Sequence, residues 1–145
     1  MTHRSIREII EHQEVVAAPE SMTVADAARL MKEKQVGALL IMNEGRLTGI
    51  FTERDALFRV VSDCRDAKTT CLAEVMTRDP RTIEPDRPFP DALHLMHERG
   101  FRHVPVVEDG RPVGMISARD ALGPELEDFV YELLRQEQGQ DILSG

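Results

Sequence analysis

The sequence predicts an α/β (α+β) protein of two repeats related by a pseudo-two-fold axis. Each repeat is a small sheet with two flanking helices, and an extra helix follows at the C-terminus. Three observations carry that prediction. The stretch Gly49-Ile50-Phe51-Thr52-Glu53-Arg54-Asp55 returns as Gly114-Met115-Ile116-Ser117-Ala118-Arg119-Asp120, 65 residues later. Sliding Ser21–Leu57 onto Asp86–Leu122 without gaps aligns 12 identical residues in 37 positions, among them Asp26/Asp91, Leu30/Leu95, Gly45/Gly110 and Arg54/Arg119. Within each copy, helix-period apolar patterns alternate with short unbroken apolar runs. Neither half can bury a sufficient core alone, so the two are expected to pack face to face.

The elements follow in order. Ile6, Ile9 and Ile10 recur at helical spacing in a short lead-in helix. An extended segment runs over Glu14–Ala18 to Pro19. Ser21-Met22-Thr23 supplies a cap before a helix with Val24, Ala27, Ala28, Leu30 and Met31 on one face. Val36–Met42 reads as a strand buried on both sides, Asn43-Glu44-Gly45 as a tight turn, and Arg46–Phe51 as the returning strand. Thr52 opens a helix through Val61, with Ala56, Leu57, Val60 and Val61 expected to face inward. The programme then restarts: Ala73–Met76 matches the lead-in helix, Thr82-Ile83 the extended segment, Pro90–Arg99 the first long helix, Phe101–Val107 the buried strand and Arg111–Ile116 the return. The expected domains are 1–62 and 73–123, joined by a polar linker at 63–72. After Gly123-Pro124, residues 124–145 hold an amphipathic helix with Leu126, Phe129, Val130, Leu133 and Leu134, and a tail. That helix could cover the protein's own core or a second chain.

Composition bounds the function. Hydrophobic residues make up 41% of the 145, with no Trp and one Tyr, so the core is aliphatic and rich in Met. A net charge of −8 argues against nucleic-acid or anionic-membrane partners. No run of about 18 apolar residues exists, and the N-terminus has no apolar signal core, so the expectation is a cytoplasmic protein. Cys64 and Cys71 fit no zinc pattern and are expected as free thiols. His94 and His97, spaced i,i+3, lack further ligands and are expected on a solvated helix face, so no metal site is expected. No nucleophile–base pair, paired carboxylates or Walker-type lysine loop is visible, which argues against an enzyme.

The repeated corner carries the candidate chemistry. A carboxylate just inside a helix can accept two hydrogen bonds from a vicinal diol. The hydroxyl three residues earlier, beside free backbone N–H groups, suits a phosphate oxygen. That selects Thr52, Arg54 and Asp55 in the first copy and Ser117, Arg119 and Asp120 in the second. Gly49 and Gly114 would admit another backbone or a flat base. The same spacing also describes a capping box, whose hydroxyl and carboxylate satisfy helix N–H groups with no ligand at all.

The helix–strand–turn–strand–helix unit ending in Gly-h-h-[Ser/Thr]-x-x-Asp resembles the cystathionine β-synthase (CBS) domain, as do Glu74-Val75-Met76-Thr77 and Arg102-His103-Val104-Pro105-Val106-Val107. The resemblance covers roughly residues 5–122, and two tandem copies form a Bateman module. It implies a regulatory pair that binds adenosine-containing ligands between the repeats and signals to a partner in trans. Asp55 and Asp120 would hold ribose hydroxyls, and Thr52 and Ser117 would meet phosphate. Val16, Ala17, Ala18, Thr82 and Ile83 would frame adenine, and Arg102 and His103 would reach phosphate. The first copy has Gly37 and Ala38 at the latter positions, so unequal sites are expected, with the tighter phosphate grip in the second copy. AMP or ATP leads among ligands, and NAD(H) and S-adenosylmethionine also carry the adenosine diol. A homodimer, a flat disc of four repeats, is the expected assembly. The alternative is a dimerisation scaffold with empty clefts.

Overall fold

The computed structural model describes residues 4–123 and 131–137. In it α1 (Ile6–Ile10), β1 (Ala17–Pro19), α2 (Val24–Lys34), β2 (Ala38–Asn43) and β3 (Arg46–Thr52) lead to the first corner helix, α3 (Glu53–Asp55). A π-helical stretch, Ala56–Val61, continues α3. The second half adds α4 (Leu72–Val75), β4 (Thr77–Arg78), α5 (Phe89–Arg99), β5 (His103–Glu108), β6 (Arg111–Ser117) and a 3-10 turn at Ala118–Leu122.

The 65-residue shift holds to the residue. It carries α2 onto α5, β2 onto β5 and β3 onto β6. It also carries the register slip at Ile41/Met42 onto that at Val106/Val107. Both hairpins turn through two left-handed residues, Glu44-Gly45 (φ 51° and 79°) and Asp109-Gly110 (φ 53° and 79°). That geometry matches the twist of the flanking strands. The first sheet has the order β1-β2-β3-β4. The second is the β5-β6 hairpin, to which Ile83 adds a parallel bridge at Val106, as Ala18 pairs with Ile41 in the first.

The lead-in helices cross. Ile6 and Ile10 of α1 lie in the core of the second repeat with Phe89, Val104, Val106 and Ile116. Leu72 and Val75 of α4, with Met76, lie in the core of the first with Leu39, Ile41 and Phe51. Two glycines make room for this exchange. A Cβ on Gly49 would lie 2.6 Å from Met76 Sδ, and one on Gly114 would lie 2.7 Å from Ile10 Cβ. The approach these glycines permit is therefore that of the exchanged segment. β4 then hydrogen-bonds along the β3 edge, with Gly49 opposite Arg78. At the matching edge of β6 the side-chain amide of Gln13 replaces a strand: Nε2 donates to the Met115 carbonyl at 2.9 Å, and Oε1 accepts from the Met115 N–H at 3.0 Å.

The stretch joining the repeats is docked. The Thr70 and Ala67 carbonyls accept from Val24 N–H and Ala25 N–H, both at 2.9 Å, and Thr23 Oγ1 accepts from Asp26 N–H at 3.2 Å. Three of the four N–H groups that α2 leaves open are thereby satisfied. Leu57 and Val61 do not face inward: they are 53% and 66% exposed, and only Val60 of that stretch is buried. The cause is the π winding, whose wider turn breaks the 3.6-residue period on which the inward expectation rested. Of the expected C-terminal helix, 131–137 is helical with Leu133 and Leu134 exposed, while Leu126, Phe129 and Val130 lie outside the described residues.

Candidate functional site

Each corner is a strand end running into a helix start, closed by a capping box. Thr52 N–H donates to Asp55 Oδ2 at 3.0 Å, and Asp55 N–H donates to Thr52 Oγ1 at 3.1 Å. In the second copy Ser117 N–H donates to Asp120 Oδ2 at 2.7 Å, and the Ser117 hydroxyl reaches the same oxygen at 3.3 Å. The backbone past each corner is pinned to the strand opening of its own repeat. Glu53 N–H donates to the Gly37 carbonyl at 3.0 Å, and Ala118 N–H to the Arg102 carbonyl at 2.8 Å.

Two clefts flank this centre, and each mixes the two repeats. A cleft of about 830 Å³ sets Ser117, Arg119 and Asp120 of the second repeat against Val16, Val36 and Gly37 of the first. A cleft of about 730 Å³ sets Thr52, Arg54 and Asp55 of the first against Thr77, Arg81 and Phe101 of the second. Arg102, His103 and Glu53 line both. The basic pair therefore stands on a shared wall rather than behind one corner. Burial pushes the His103 imidazole below its ordinary pKa, against the opposing pull of Glu53 and Asp120. Of the adenine-framing candidates, Val16 lies in the larger cleft. Ala17 and Ala18 sit in β1, with Ala18 in the core. Ile83 is likewise a core residue, and neither it nor Thr82 is among the described cleft-lining residues. Sequence reasoning missed Glu53, Val36, Arg81 and Arg99 as lining residues. Carrying the 65-residue shift back from Ser21 would have matched Val16 with Arg81.

The two carboxylates differ in what they already hold. Asp55 is 7% exposed. Its Oδ1 takes the Thr77 hydroxyl at 3.4 Å and Arg59 Nε at 3.5 Å, while Oδ2 is closed by the cap. Asp120 is half-buried, and its cap engages Oδ2 alone. Among the described residues its Oδ1 makes no hydrogen bond or ion pair. The Asp120 turn is also held from behind, because Arg4 Nη2 donates to the Asp120 carbonyl at 2.8 Å and the guanidinium stacks 5.0 Å from the Phe89 ring centre. Among the described residues no group of three or more His, Cys, Asp or Glu side chains could hold a metal. No described helix is long and apolar enough to cross a membrane.

Crossed lead-in helices, paired hairpins and clefts built from one repeat's corner and the other's strand opening define a tandem pair of like repeats. The CBS domain model matches residues 6–62 and 72–124, so the chain belongs to the CBS domain family. CBS-domain pairs act as regulatory, ligand-binding modules. The mitochondrial CBS domain-containing protein CBSX3 of Arabidopsis thaliana is 34% identical over 118 residues, 78% of this chain and 57% of the relative. This chain thus spans little more than half of that relative's length. A CBS-domain protein from Burkholderia ambifaria superposes with a TM-score of 0.80 at 32% identity, covering 86% of this chain and 96% of its own. A CBS domain pair solved with 5′-methylthioadenosine and S-adenosyl-L-methionine shares the fold at a TM-score of 0.74 and 24% identity, covering 83% of this chain and 94% of that one.

Proposed function

We propose that this chain is a non-catalytic sensor of an adenosine-containing ligand, AMP or ATP in type, and reports occupancy to a partner protein in trans. The observation that carries the reading is Asp120 in the lining of the larger cleft, whose Oδ1 makes no hydrogen bond or ion pair among the described residues. A ribose diol needs a carboxylate with acceptor capacity to spare, and among the described residues only Oδ2 of Asp120 is engaged. In this reading Ser117 and the shared Arg102–His103 wall meet the phosphate, and Val16 lies against the base. Adenosyl ligands bound by a protein of the same fold support the class of ligand. NAD(H) and S-adenosylmethionine carry the same diol and belong to the test panel.

Signalling follows because a ligand bridging both repeats favours one relative orientation over others, by its difference in affinity for the two. The module works as a homodimer, a disc of four repeats, with the exposed Leu57, Phe58 and Val61 as the apolar face for the second chain. Light scattering should give a dimer at micromolar concentration, and a monomer there would refute this part.

A second reading, a scaffold with ligand-free clefts, rests on the completeness of both capping boxes, which close without any ligand. Thermal shift separates the two. A ligand at 100 times its Kd adds about 2.7 kcal/mol of stability, so at least one of AMP, ATP, NAD and S-adenosylmethionine should raise the melting temperature. No shift with any of them at millimolar concentration would favour the scaffold.

A further inference from the structure

The wall that the two clefts share is filled unequally by the two repeats. The 65-residue shift matches Gly37 with Arg102, Ala38 with His103 and Glu53 with Ala118, so a large polar side chain in one repeat answers a small residue in the other. The space over Gly37 is already taken. A Cβ there would lie 3.0 Å from Glu53 Oε1 and 3.4 Å from His103 Nε2. The imidazole of the second repeat thus reaches across to the backbone of the first. In the β5–β6 register it stands opposite Ser117, whose hydroxyl faces the phosphate in the reading above.

His103 is half-buried, and it is the single histidine among the described residues lining either cleft. The other ionisable groups there are carboxylates, arginines and Lys34, and Lys34 is paired with Glu14 at 2.9 Å. Such groups ordinarily keep their charge between pH 6 and 8, so a change of charge in that range falls to the imidazole. Around the ring, Glu53 of the first corner and Asp120 of the second favour its proton, while Arg102 beside it and Arg119 oppose it. The opening of β2 sets only Gly37 and Ala38 there, without charge. Two carboxylates against two guanidinium groups leave little net field, and burial then decides for the neutral ring. An anionic group seated beside Ser117 upsets that balance, because it adds negative charge on the side of the imidazolium.

We infer that binding in the larger cleft is proton-linked: an anionic ligand group held at Ser117 draws one proton from solvent onto His103, so affinity rises as pH falls from 8 toward 6. The inference rests on the reading of this cleft as an adenosine site and names its regulation. Linkage is reciprocal, so the factor by which the ligand favours the proton is the factor by which the proton favours the ligand. An uncharged ligand with the same base and ribose has no such effect.

The test follows the His103 ring by NMR from pH 5 to 8.5, assigned through its own backbone, in the wild type alone, with AMP and with adenosine. AMP should raise the midpoint by about half a unit or more, a factor of about three, and adenosine should leave it in place. Calorimetry of AMP at pH 8 and pH 6 then compares the wild type with His103→Gln, which subtracts the titration of the nucleotide's own phosphate. On acidification the wild type should gain about threefold more affinity than the variant. Circular dichroism checks that the variant is folded, and the NMR arm stands without it. A midpoint that saturating AMP does not move, an equal rise with adenosine, or equal gains in the two proteins would each overturn the inference and leave the adenosine reading intact. No binding of AMP or adenosine at millimolar concentration would strike both.

Discussion

The corners at Asp55 and Asp120 have the same length, the same cap and the same place in their sheets, yet they hold different partners. At the first, the Thr77 hydroxyl from the exchanged segment and Arg59 from the π-helical stretch reach Oδ1 of the carboxylate at 3.4 and 3.5 Å. Counting 65 residues on from Arg59 reaches Pro124, which lies outside the described residues and carries no charge in the sequence. The position matching Thr77 is His12, which makes no hydrogen bond to Asp120. Repetition of a motif therefore repeats the cap, while the neighbours decide whether the carboxylate is a structural fixture or an available acceptor.

That contrast can be strained most at the glycines beneath the corners. Gly114→Ala sets a methyl 2.7 Å from both Ile10 Cβ and Cγ2, a β-branched side chain with little freedom to move. Urea unfolding should give a loss of about 2–3 kcal/mol. Gly49→Ala meets the end of Met76, which can swing aside, so its loss should be the smaller of the two despite the Thr77 carbonyl at 3.0 Å. Next in size are the carboxylates. Asp55→Ala removes a cap, the Thr77 hydroxyl's acceptor and the partner of Arg59, and should cost about 2 kcal/mol. Asp120→Ala removes a cap alone and should cost about 1 kcal/mol. Equal losses in the same denaturation series would mean that the neighbours do not distinguish the corners.

Gln13→Ala tests the side-chain surrogate for a strand. It deletes two hydrogen bonds to Met115 and should cost about 1 kcal/mol. Arg78→Ala leaves the backbone pairing of β4 intact, so its smaller loss would mark the difference between the two edges. The mildest effect is that of pH. His103 is harder to protonate folded than unfolded, so the unfolded chain takes up the proton first and stability falls as pH drops below about 6.5. Melting temperatures between pH 7.5 and 5 should fall less steeply in His103→Gln than in the wild type.

Much of this architecture was legible in the sequence because an ungapped 65-residue echo carries register with it. Once Gly45 matches Gly110 and Gly49 matches Gly114, turns and bulges must coincide. The exchange of α1 and α4 was not legible. Ile6 and Ile10 have the same apolar spacing whichever sheet they cover, and only the space above Gly114 says which. Leu57 and Val61 misled because helical periodicity assumes 3.6 residues per turn, and the stretch after Asp55 is wound more loosely. The cleft residues were half legible. Thr52, Asp55, Ser117 and Asp120 announce themselves by their repeat. Arg81 and Arg99 belong to no motif and gain meaning only where two segments distant in sequence come together.

The claim that the corners have parted roles is tested most directly by calorimetric titration of AMP into Asp55→Asn and Asp120→Asn beside the wild type. The account predicts at least a tenfold loss of affinity in Asp120→Asn, equivalent to about 1.4 kcal/mol or more, and a change within about twofold in Asp55→Asn. Equal losses in the two variants, or a loss confined to Asp55→Asn, would contradict it.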